Sequence, residues 1–450
     1  MTSFFSRRET LAGMTALSAA ASVRAASPAS DVGALLDRLA WQLLELVPER
    51  ATTLGVDTGT HADLRRRLED RSPAGIAARQ RFLTDGLKQV ARVPRTGLDP
   101  ATLTSLAVVE SAFRTALDGM ALPYGVATIG DWRNTPYAVI QNVGAWLDVP
   151  QMLDGDQPVR DKADAEAYLA RLAAMPAQLD GETVRIRQAR EQGLVPPSFL
   201  LDKTIKGMTG TIAEAAKADG PLIGPLARKT TAIPGDWTNR AAQIVRSAIV
   251  PALERQLAEL QAQRGVAIAA PGMNVRPHGP EWYGWGLRAG TTTRRSAADL
   301  HAMGQARLAD LQAQMDTILR SEGLTQGSVA ERAIAYQKRP GIGFPDGDEG
   351  RRQIVAYMEG RIDAIRPRLP DAFRRLARGI WKSGGCRWRR SPAPLRPMEA
   401  PAPSTAACRA RSGSIWAIRR STTASPSPIS SIMRGYRAMS GRANMRRSCR

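Results

Sequence analysis

Helical periodicity runs through this chain to about residue 378 and then stops, and this break constrains the fold more than any other feature. Residues 380–450, called the basic tail below, hold 15 Arg and Lys residues against one acid, Glu399, so they carry +14 of the chain's net charge of +21. All three cysteines lie in the basic tail, and none of the three histidines does. Three interpretations are open: a tail that binds an anionic partner, a disordered appendix, or a segment translated in the wrong reading frame.

Before the tail, apolar residues recur at the spacing of an α-helix, and typical helix start and stop residues separate the runs. Asp99 followed by Pro100, and Ser296 three residues before Asp299, are N-cap patterns. We find no internal repeat and no alternation typical of strands, so the sequence predicts a mainly α fold. The predicted helices span about residues 32–47, 62–95 with a break at 73–75, 99–116, 139–147, 164–192, 199–220, 237–264, 296–321 and 349–366.

Composition limits the class of protein further. Residues 26–379, called the body below, contain no cysteine, which excludes a disulfide framework there. The chain has no run of 18 apolar residues, so the sequence predicts no membrane-spanning helix. A Pro- and Gly-rich segment at 267–280 divides the body into an N-terminal helical region, 26–266, and a second helical region of the same domain, 267–379. The strongly basic total would suggest nucleic acid, but most of the excess charge lies in the tail, so we discount it for the body.

Residues 1–25 have the features of an export signal. A short cationic start ends in Arg7 and Arg8, a mildly apolar run follows at 11–21, and Val23-Arg24-Ala25 offers small residues for cleavage. Adjacent arginines before a weakly apolar run favour the twin-arginine route over the general secretory route, which is the alternative. The mature chain is therefore predicted to begin near Ala26 and to lie in the periplasm or elsewhere outside the cytoplasm.

Few residues between 26 and 379 carry recognisable chemistry. His61, His278 and His301 are far apart, and none has the spacing of a metal-binding His-Glu-x-x-His pair. A structural role is favoured for His301, which falls early in a predicted helix. The aromatic run at 282–285 (Trp-Tyr-Gly-Trp) could line a pocket, but core or loop packing is favoured for it. From these residues alone we predict no catalytic, cofactor-binding or metal-binding residue.

An acidic cluster follows Gly343 and comprises Asp346, Asp348 and Glu349. Because a full calcium-loop spacing is missing, we interpret the cluster as a solvated loop and the N-terminal end of a helix. The glycines around it are not followed by Gly-Lys-Ser/Thr, so they do not predict a phosphate-binding loop.

Short motifs spread over residues 31–379 resemble a known bacterial family. They are 51–55 (Ala-Thr-Thr-Leu-Gly), 68–72 (Leu-Glu-Asp-Arg-Ser), 135–137 (Thr-Pro-Tyr) with Gln141, Gly144 and Pro150, 166–169 (Glu-Ala-Tyr-Leu) with Arg171 and Leu172, 193–197 (Gly-Leu-Val-Pro-Pro), 279–283 (Gly-Pro-Glu-Trp-Tyr), 291–293 (Thr-Thr-Thr) and 300–304 (Leu-His-Ala-Met-Gly). Their shared order resembles the family catalogued as domain of unknown function 885, which is predicted to contain exported zinc metallopeptidases.

The resemblance implies a zinc cofactor and a peptide substrate for intact members of that family. Their chemistry is implied to lie in a glycine-rich segment ending Pro-Gly-x-Phe-x-x-Asn, a motif of the type Tyr-His-Glu-Gly-x-Pro-Gly-His, and a later acidic ligand. In such a site imidazoles and a carboxylate hold zinc, the metal lowers the pKa of its water, and the motif glutamate is the general base. No residue of this chain matches the His-Glu motif, so the resemblance assigns no zinc ligand here.

The genetic code allows the missing motifs to be recovered from the basic tail. If each codon takes the last base of one residue and the first two of the next, residues 431–440 permit Tyr-His-Glu-Gly-x-Pro-Gly-His-Val, and residues 403–418 permit a segment containing Pro-Gly-Thr-Phe-Trp-Ile-Asn. Both strings fall in the same shifted frame and in the family's order. We therefore favour an out-of-frame tail, with the slip near residues 379–381, over a nucleic-acid-binding arm, whose basic residues would be regularly placed and interleaved with aromatics.

The sequence thus predicts a mainly α, metallopeptidase-like body and a tail after about residue 380 that has no fold. Intact relatives are expected to hydrolyse peptide bonds with zinc, whereas this chain is predicted to be a truncated, inactive member that binds no catalytic zinc. The alternative is a non-catalytic extracytoplasmic helical protein that binds a partner or serves as a scaffold.

Overall fold

The computed structural model of the protein describes residues 28–129 and 134–373. The predicted export signal and the basic tail lie outside the described residues. The chain divides into two compact units, the first ending at Thr293 and the second beginning at Arg294. The division predicted from the sequence, at 266/267, precedes this boundary. The helix Gly279–Thr291 lies between the two positions, and it contacts the helix Pro100–Met120 and belongs to the first unit.

Helices dominate the described residues of the first unit, in agreement with the predicted mainly α fold. They are α1 (Pro28–Leu46), α2 (Pro48–Leu54), α3 (Pro73–Ala91), α4 (Pro100–Met120), α5 (Ala145–Gly155), α6 (Lys162–Glu191), α7 (Ser198–Ala215), α8 (Gly224–Lys229), α9 (Trp237–Ile244), α10 (Val250–Val266) and α11 (Gly279–Thr291). A 3₁₀ segment, Gly59–Arg66, follows α2, and a π-helical turn, Val245–Ile249, joins α9 to α10. The helix predicted over 237–264 is therefore one long helix with a local bulge.

Several helix starts follow from local side chains, as predicted. The Asp99 carboxylate accepts the backbone N–H groups of Ala101 at 2.9 Å and Thr102 at 3.1 Å, which fixes the start of α4. In the second unit Ser296 and Asp299 form a reciprocal capping box at the start of the next helix. Such side chains satisfy N–H groups that have no partner within the helix.

Other predicted elements are wrong in extent. The short helix predicted near 139–147 is α5, which begins only at Ala145 and runs to Gly155 with Pro150 inside it. Pro73 begins α3 rather than interrupting a helix, because proline is tolerated in the first turn and the Ser72 hydroxyl accepts the N–H of Gly75 at 3.3 Å. Helix α11 was not predicted at all.

Three groups of buried side chains form the core of the first unit. The largest joins α5, α6, α7, α9 and α10, with Tyr168, Leu172 and Leu253 completely buried. A second group joins α1, α3 and α4 around Leu83 and Leu106. A smaller, aromatic group lies between α11 and the loops after α4. Its buried members are Tyr124, Tyr137, Ile140, Leu194, Trp282 and Trp285.

The loops after α4 are held by two isolated antiparallel bridges, Val126 with Thr135 and Ile140 with Val143. The described residues form no strand beyond these bridges. None of the described helices is long and apolar enough to cross a membrane.

The second unit contains α12 (Ala297–Ser321), α13 (Val329–Gln337) and α14 (Asp348–Ile365) in its described residues. Helix α13 was not predicted from the sequence. Arg332 of α13 is 5% exposed and pairs with Asp316 of α12, which also pairs with Arg320 at 2.7 Å. This pairing joins α13 to α12. Helix α12 also presents several apolar side chains to solvent, namely Met303, Leu308, Leu311 and Met315.

Candidate ligand-binding cleft

Helix α6 is the element around which the first unit is built, and it carries polar side chains on one face of an otherwise buried helix. Asp164, Arg171, Gln178 and Glu182 are all buried, and Arg185 follows one turn later. At about 100° per residue these five positions fall within about 60° of one another around the helix axis. We call this set the polar stripe. Buried polar groups require partners, and the elements packed on α6 supply most of them.

Arg171 has no exposed surface and is satisfied by neutral acceptors. Its Nε donates to the carbonyl oxygen of Arg67 at 2.9 Å, and its Nη2 donates to the hydroxyl of Thr52 at 2.8 Å and the carbonyl oxygen of Leu64 at 3.0 Å. Its Nη1 donates to Gln157. Removal from water lowers the pKa of Arg171 to about 10. This side chain fixes the 3₁₀ segment and α2 against the middle of α6.

Asp164 begins the polar stripe and is paired with arginines. Arg65 donates to Asp164 at 2.5 Å and pairs with Asp57 at 3.1 Å, while the Nε of Arg160 donates to Asp164 at 2.7 Å. Burial alone would raise the pKa of Asp164, but the hydrogen bonds from Arg160 and Arg65 outweigh it and hold this pKa below its ordinary value. The start of α6 is thus fixed to the 3₁₀ segment.

Glu182 holds the start of α5. Its two carboxylate oxygens accept the N–H of Ala145, each at 3.0 Å, and one accepts Nη1 of Arg71 at 2.8 Å. Gly144, the N-cap residue, has no side chain that could accept this N–H. A carboxylate is also favourable at a helix N-terminus. Burial raises the pKa of Glu182 above its ordinary value, and Arg71 opposes this.

A cleft of about 230 Å³ opens beside the second half of α6. Its walls come from the end of α4, the loops after α4, and the segment that follows α6. Most of the lining is apolar or aromatic, and the polar exceptions include Arg185 and Gln263. The lining residues include Met120, Leu122, Tyr124, Gly125, Val139, Arg185, Ile186 and Leu194.

Arg185 is the charged residue of the cleft. Its side chain is half-buried, and its Nη2 donates to the carbonyl oxygen of Gly125 at 2.6 Å. Within the described residues no carboxylate lies within ion-pairing distance of it, and removal from water lowers its pKa to about 10. Glu182 and Glu69 act on it only as more distant negative charges, which raise this pKa. Arg185 therefore stays protonated at neutral pH.

The wall of the cleft at Gly125 requires glycine. Its φ is +92°, a conformation that other residues rarely adopt, and a Cβ placed there would lie 2.7 Å from Nε1 of Trp282. The Trp282 and Trp285 rings meet edge to face at 5.2 Å and 78°, and Nε1 of Trp285 donates to the carbonyl oxygen of Thr115 at 2.8 Å. These two indoles support the loop that carries Gly125.

The aromatic run at 282–285 therefore divides between two environments. Trp282 and Trp285 are buried in the aromatic group, as the favoured packing interpretation predicts, while Tyr283 is 52% exposed. Behind the cleft, the Tyr124 hydroxyl donates to the carbonyl oxygen of Pro277, and burial raises the pKa of Tyr124 to about 12. Tyr124 thus remains a hydrogen-bond donor at neutral pH.

The three histidines occupy separate places. The ring of His61 stacks on Trp41 with ring centres 3.5 Å apart, and His278 precedes α11 with a left-handed backbone, φ +51°. His301 is exposed on α12 of the second unit. Among the described residues, no three His, Cys, Asp or Glu side chains are grouped so that they could hold a metal ion. The zinc implied by the family resemblance therefore has no fitting ligand set in this part of the chain.

The acidic cluster of the second unit lies at the start of α14. Asp348 pairs with Arg351 at 2.7 Å, and Glu349 accepts from Gln353 at 3.0 Å and pairs with Arg352. The hydrogen bond from Gln353 and the charge of Arg352 lower the pKa of Glu349. Each of these two carboxylates thus contacts side chains of its own helix, α14.

Sequence reasoning missed the polar stripe and Arg185. The stripe had a visible signal, because Asp164, Arg171 and Gln178 recur at intervals of seven in a run of buried apolar residues. A seven-residue interval returns a side chain to within about 20° of the same face. The cleft itself had no such signal, since it needs the loop at Gly125 to fold onto α6.

The family is established by comparison of the sequence. The model of the family described as "Bacterial protein of unknown function (DUF885)" matches residues 48–430, so the chain belongs to this family. The match agrees with the resemblance found in the sequence, and it continues past residue 379 into the basic tail. The out-of-frame origin of that tail stays a prediction. Among curated proteins no sequence matches the chain.

Two solved structures resemble the fold. One, titled "The crystal structure of the putative lipoprotein from Colwellia psychrerythraea", superimposes with a TM-score of 0.73 at 19% identity and covers 80% of this chain. The chain spans 62% of the length of that protein. The other, described as a putative lipoprotein of unknown function from Shewanella oneidensis, has a TM-score of 0.49 at 14% identity, covering 77% of this chain and 58% of that one. The first likeness shows a shared fold.

Proposed function

We propose that this chain is an extracytoplasmic, non-catalytic member of a peptidase-like family that binds a peptide-like ligand in the cleft beside α6. The observation that carries the proposal is the cleft itself, which is concave, mostly apolar and bordered by a few polar groups. Ligand sites in proteins generally have this form. The hydrogen bond from Arg185 to the carbonyl oxygen of Gly125 supports the proposal, because it holds one wall in place before any ligand arrives. The contacts of Glu182 with Ala145 and Arg71 fix segments next to the lining in the same way.

The peptide-like nature of the ligand comes from the family resemblance, which implies peptide hydrolysis with zinc for intact members. The proposal that this chain lacks this chemistry has separate support. No residue of the chain matches the His-Glu motif, which is readable only in a shifted frame of residues 431–440. A family match that reaches residue 430 is unexpected if residues 380–430 are out of frame. The nucleotide sequence around codons 376–384 therefore decides how the tail arose.

A location outside the cytoplasm is supported by the predicted export signal in residues 1–25. It is also supported by the description of the Colwellia neighbour as a putative lipoprotein. Fractionation of cells that express the whole chain tests this location, with the twin-arginine route checked by replacing Arg7 and Arg8 with lysine. Retention of that variant in the cytoplasm is expected, and its normal export would contradict the twin-arginine route.

Metal analysis together with a peptidase assay on the 450-residue chain tests the absence of catalysis. We expect zinc far below one ion per chain and no turnover of peptide substrates. Stoichiometric zinc accompanied by turnover would contradict the proposal. The matched control is a chain expressed from a gene whose reading frame is shifted at codons 379–381, in which zinc binding is expected to appear if the tail is out of frame.

A further inference from the structure

Arg185 differs from the other buried arginines near α6 in what surrounds it. Arg71 contacts three carboxylates, those of Glu69, Asp148 and Glu182, and Arg171 donates to several neutral oxygens. Arg185 has one hydrogen bond within the described residues, to the carbonyl oxygen of Gly125. It is the member of the polar stripe that lines the cleft.

We propose that Arg185 binds the C-terminal carboxylate of a peptide whose last side chain is apolar. The guanidinium is a planar fork of N–H donors that matches a carboxylate. One of its Nη2 donors is taken by Gly125, which fixes the orientation of the fork. No described residue takes the other donors of the side chain, so they remain for a ligand. This inference rests on the proposal that the cleft binds a peptide-like ligand, and it names the group recognised.

The cost of burying a charge supports this assignment. A cation that is partly removed from water without a carboxylate partner is destabilising. The nearest carboxylate on the same helix, Glu182, is already engaged by Arg71 and by the N–H of Ala145. An anionic ligand would supply the opposite charge that the described residues do not place against Arg185.

The remaining walls determine the rest of the ligand. Around Arg185 the cleft is lined by apolar side chains that include Met120, Leu122, Ile186 and Leu194. An apolar terminal side chain gains free energy when it is transferred from water to such a surface. The cleft, at about 230 Å³, is smaller than the roughly 300–1,000 Å³ of sites that enclose a drug-sized ligand. It therefore suits the end of a peptide rather than a long internal segment.

Two probes test the inference on the full 450-residue chain: acetyl-Ala-Leu with a free C-terminal carboxylate, and the same peptide with a C-terminal amide. Binding is measured by calorimetric titration, with tryptophan fluorescence as a second signal because Trp282 packs against the loop at Gly125. The free acid is expected to bind at least about tenfold more tightly than the amide, which corresponds to about 1.4 kcal/mol.

Substitutions assign this preference to one side chain. Arg185→Gln is expected to remove the preference for the acid, and Arg185→Lys to keep part of it because the charge remains without the fork. The matched control is Arg187→Gln on the same helix. The Arg187 side chain is 53% exposed and pairs with Glu259, which keeps Arg190 as a partner. This variant is expected to bind both probes as the unmodified chain does.

The possible outcomes distinguish the role of Arg185 from the role of the cleft as a peptide site. Equal binding of acid and amide to the unmodified chain would overturn the role of Arg185 while leaving the cleft as a peptide site. Binding of neither probe would overturn both this inference and the proposed function. If the preference for the acid persists in Arg185→Gln, the carboxylate is bound elsewhere and the inference is wrong. Should Arg185→Gln fail to fold, the acid–amide comparison and Arg185→Lys still decide the question.

Discussion

Both carboxylate oxygens of Glu182 lie 3.0 Å from the backbone nitrogen of Ala145, although the two residues are 37 positions apart. This contact replaces the side-chain cap that Gly144 cannot provide. It also joins the start of α5 to the middle of α6 and holds Arg71 in the same group. A single buried carboxylate thus fixes the position of a helix and of a segment near the N-terminus.

Glu182→Ala is expected to lower the free energy of unfolding by about 3–5 kcal/mol. Removing one partner of a buried ion pair leaves the other charge without compensation, which typically costs this much. The measurement is the midpoint of urea unfolding followed by circular dichroism. The matched control is Glu166→Ala on the same helix. The Glu166 carboxylate is 40% exposed and pairs with Arg240 at 2.6 Å.

Solvent screens an exposed pair of this kind, which then contributes little to stability. Glu166→Ala is therefore expected to unfold close to the unmodified chain. Equal unfolding midpoints for the two variants would contradict the structural role given to Glu182.

The stability that Asp164 supplies is expected to disappear in acid. Its pKa in the folded chain lies below the ordinary value of 3.8, so folding favours the ionised form. This contribution is fully present above the ordinary pKa and is lost as the pH falls through the lower, folded pKa. Asp164→Asn should therefore destabilise the chain strongly at pH 7, and its difference from the unmodified chain should shrink below about pH 4.

Unfolding curves measured between pH 3 and pH 7 test this dependence on acid. A difference between Asp164→Asn and the unmodified chain that stays constant over this range would show that Arg65 and Arg160 do not stabilise the ionised carboxylate.

Gly125→Ala is expected to destabilise the chain and to disturb the cleft. The residue has φ +92°, and the new methyl group would lie 2.7 Å from Nε1 of Trp282. Gly97→Ala is the matched control, because Gly97 has φ +80° but nothing within 4 Å of an added Cβ. Both variants carry the cost of a positive φ, about 1–3 kcal/mol, and only Gly125→Ala adds a steric clash.

Tryptophan fluorescence separates the two glycine variants. A change in the emission spectrum is expected for Gly125→Ala alone, together with weaker binding of acetyl-Ala-Leu. Identical spectra and affinities in both variants would contradict the close approach of the Gly125 loop to Trp282.

The exposed apolar side chains of α12 are expected to promote self-association. Leu308 is 57% exposed and Leu311 is 37% exposed, and exposed apolar surface of this kind favours aggregation. The double variant Leu308→Gln/Leu311→Gln is expected to remain monomeric at higher concentration with little change in unfolding. Light scattering measures self-association. Equal scattering from the double variant and the unmodified chain would contradict the expectation.

Much of the fold could be predicted from the sequence because its signals are local. Asp99 with Pro100, and Ser296 with Asp299, fix helix starts by contacts within three residues. The start of α5 could not be predicted in this way, because its cap comes from Glu182 in another helix. Helix α11 has Pro280 and Glu281 in its first turn, which are start signals, but the glycine- and proline-rich segment before it obscured them.

The candidate site was less accessible to sequence reasoning than the helices were. The heptad spacing of Asp164, Arg171 and Gln178 marks one face of α6 as polar. The importance of Arg185, however, depends on Gly125, a residue 60 positions earlier. Whether a charged residue on a buried helix has a protein partner or faces a cleft is decided by tertiary packing, which no local pattern encodes.

Calorimetric titration of acetyl-Ala-Leu into the 450-residue chain, with zinc present, tests the central claim most directly, because heat reports both binding and hydrolysis. Binding without catalysis produces discrete heats that saturate near one ligand per chain, and this is the predicted result. Sustained heat from continuing hydrolysis after each injection would contradict the claim that this chain is a non-catalytic binding protein. The absence of any heat, together with tryptophan emission that the peptide leaves unchanged, would contradict the cleft as a peptide site.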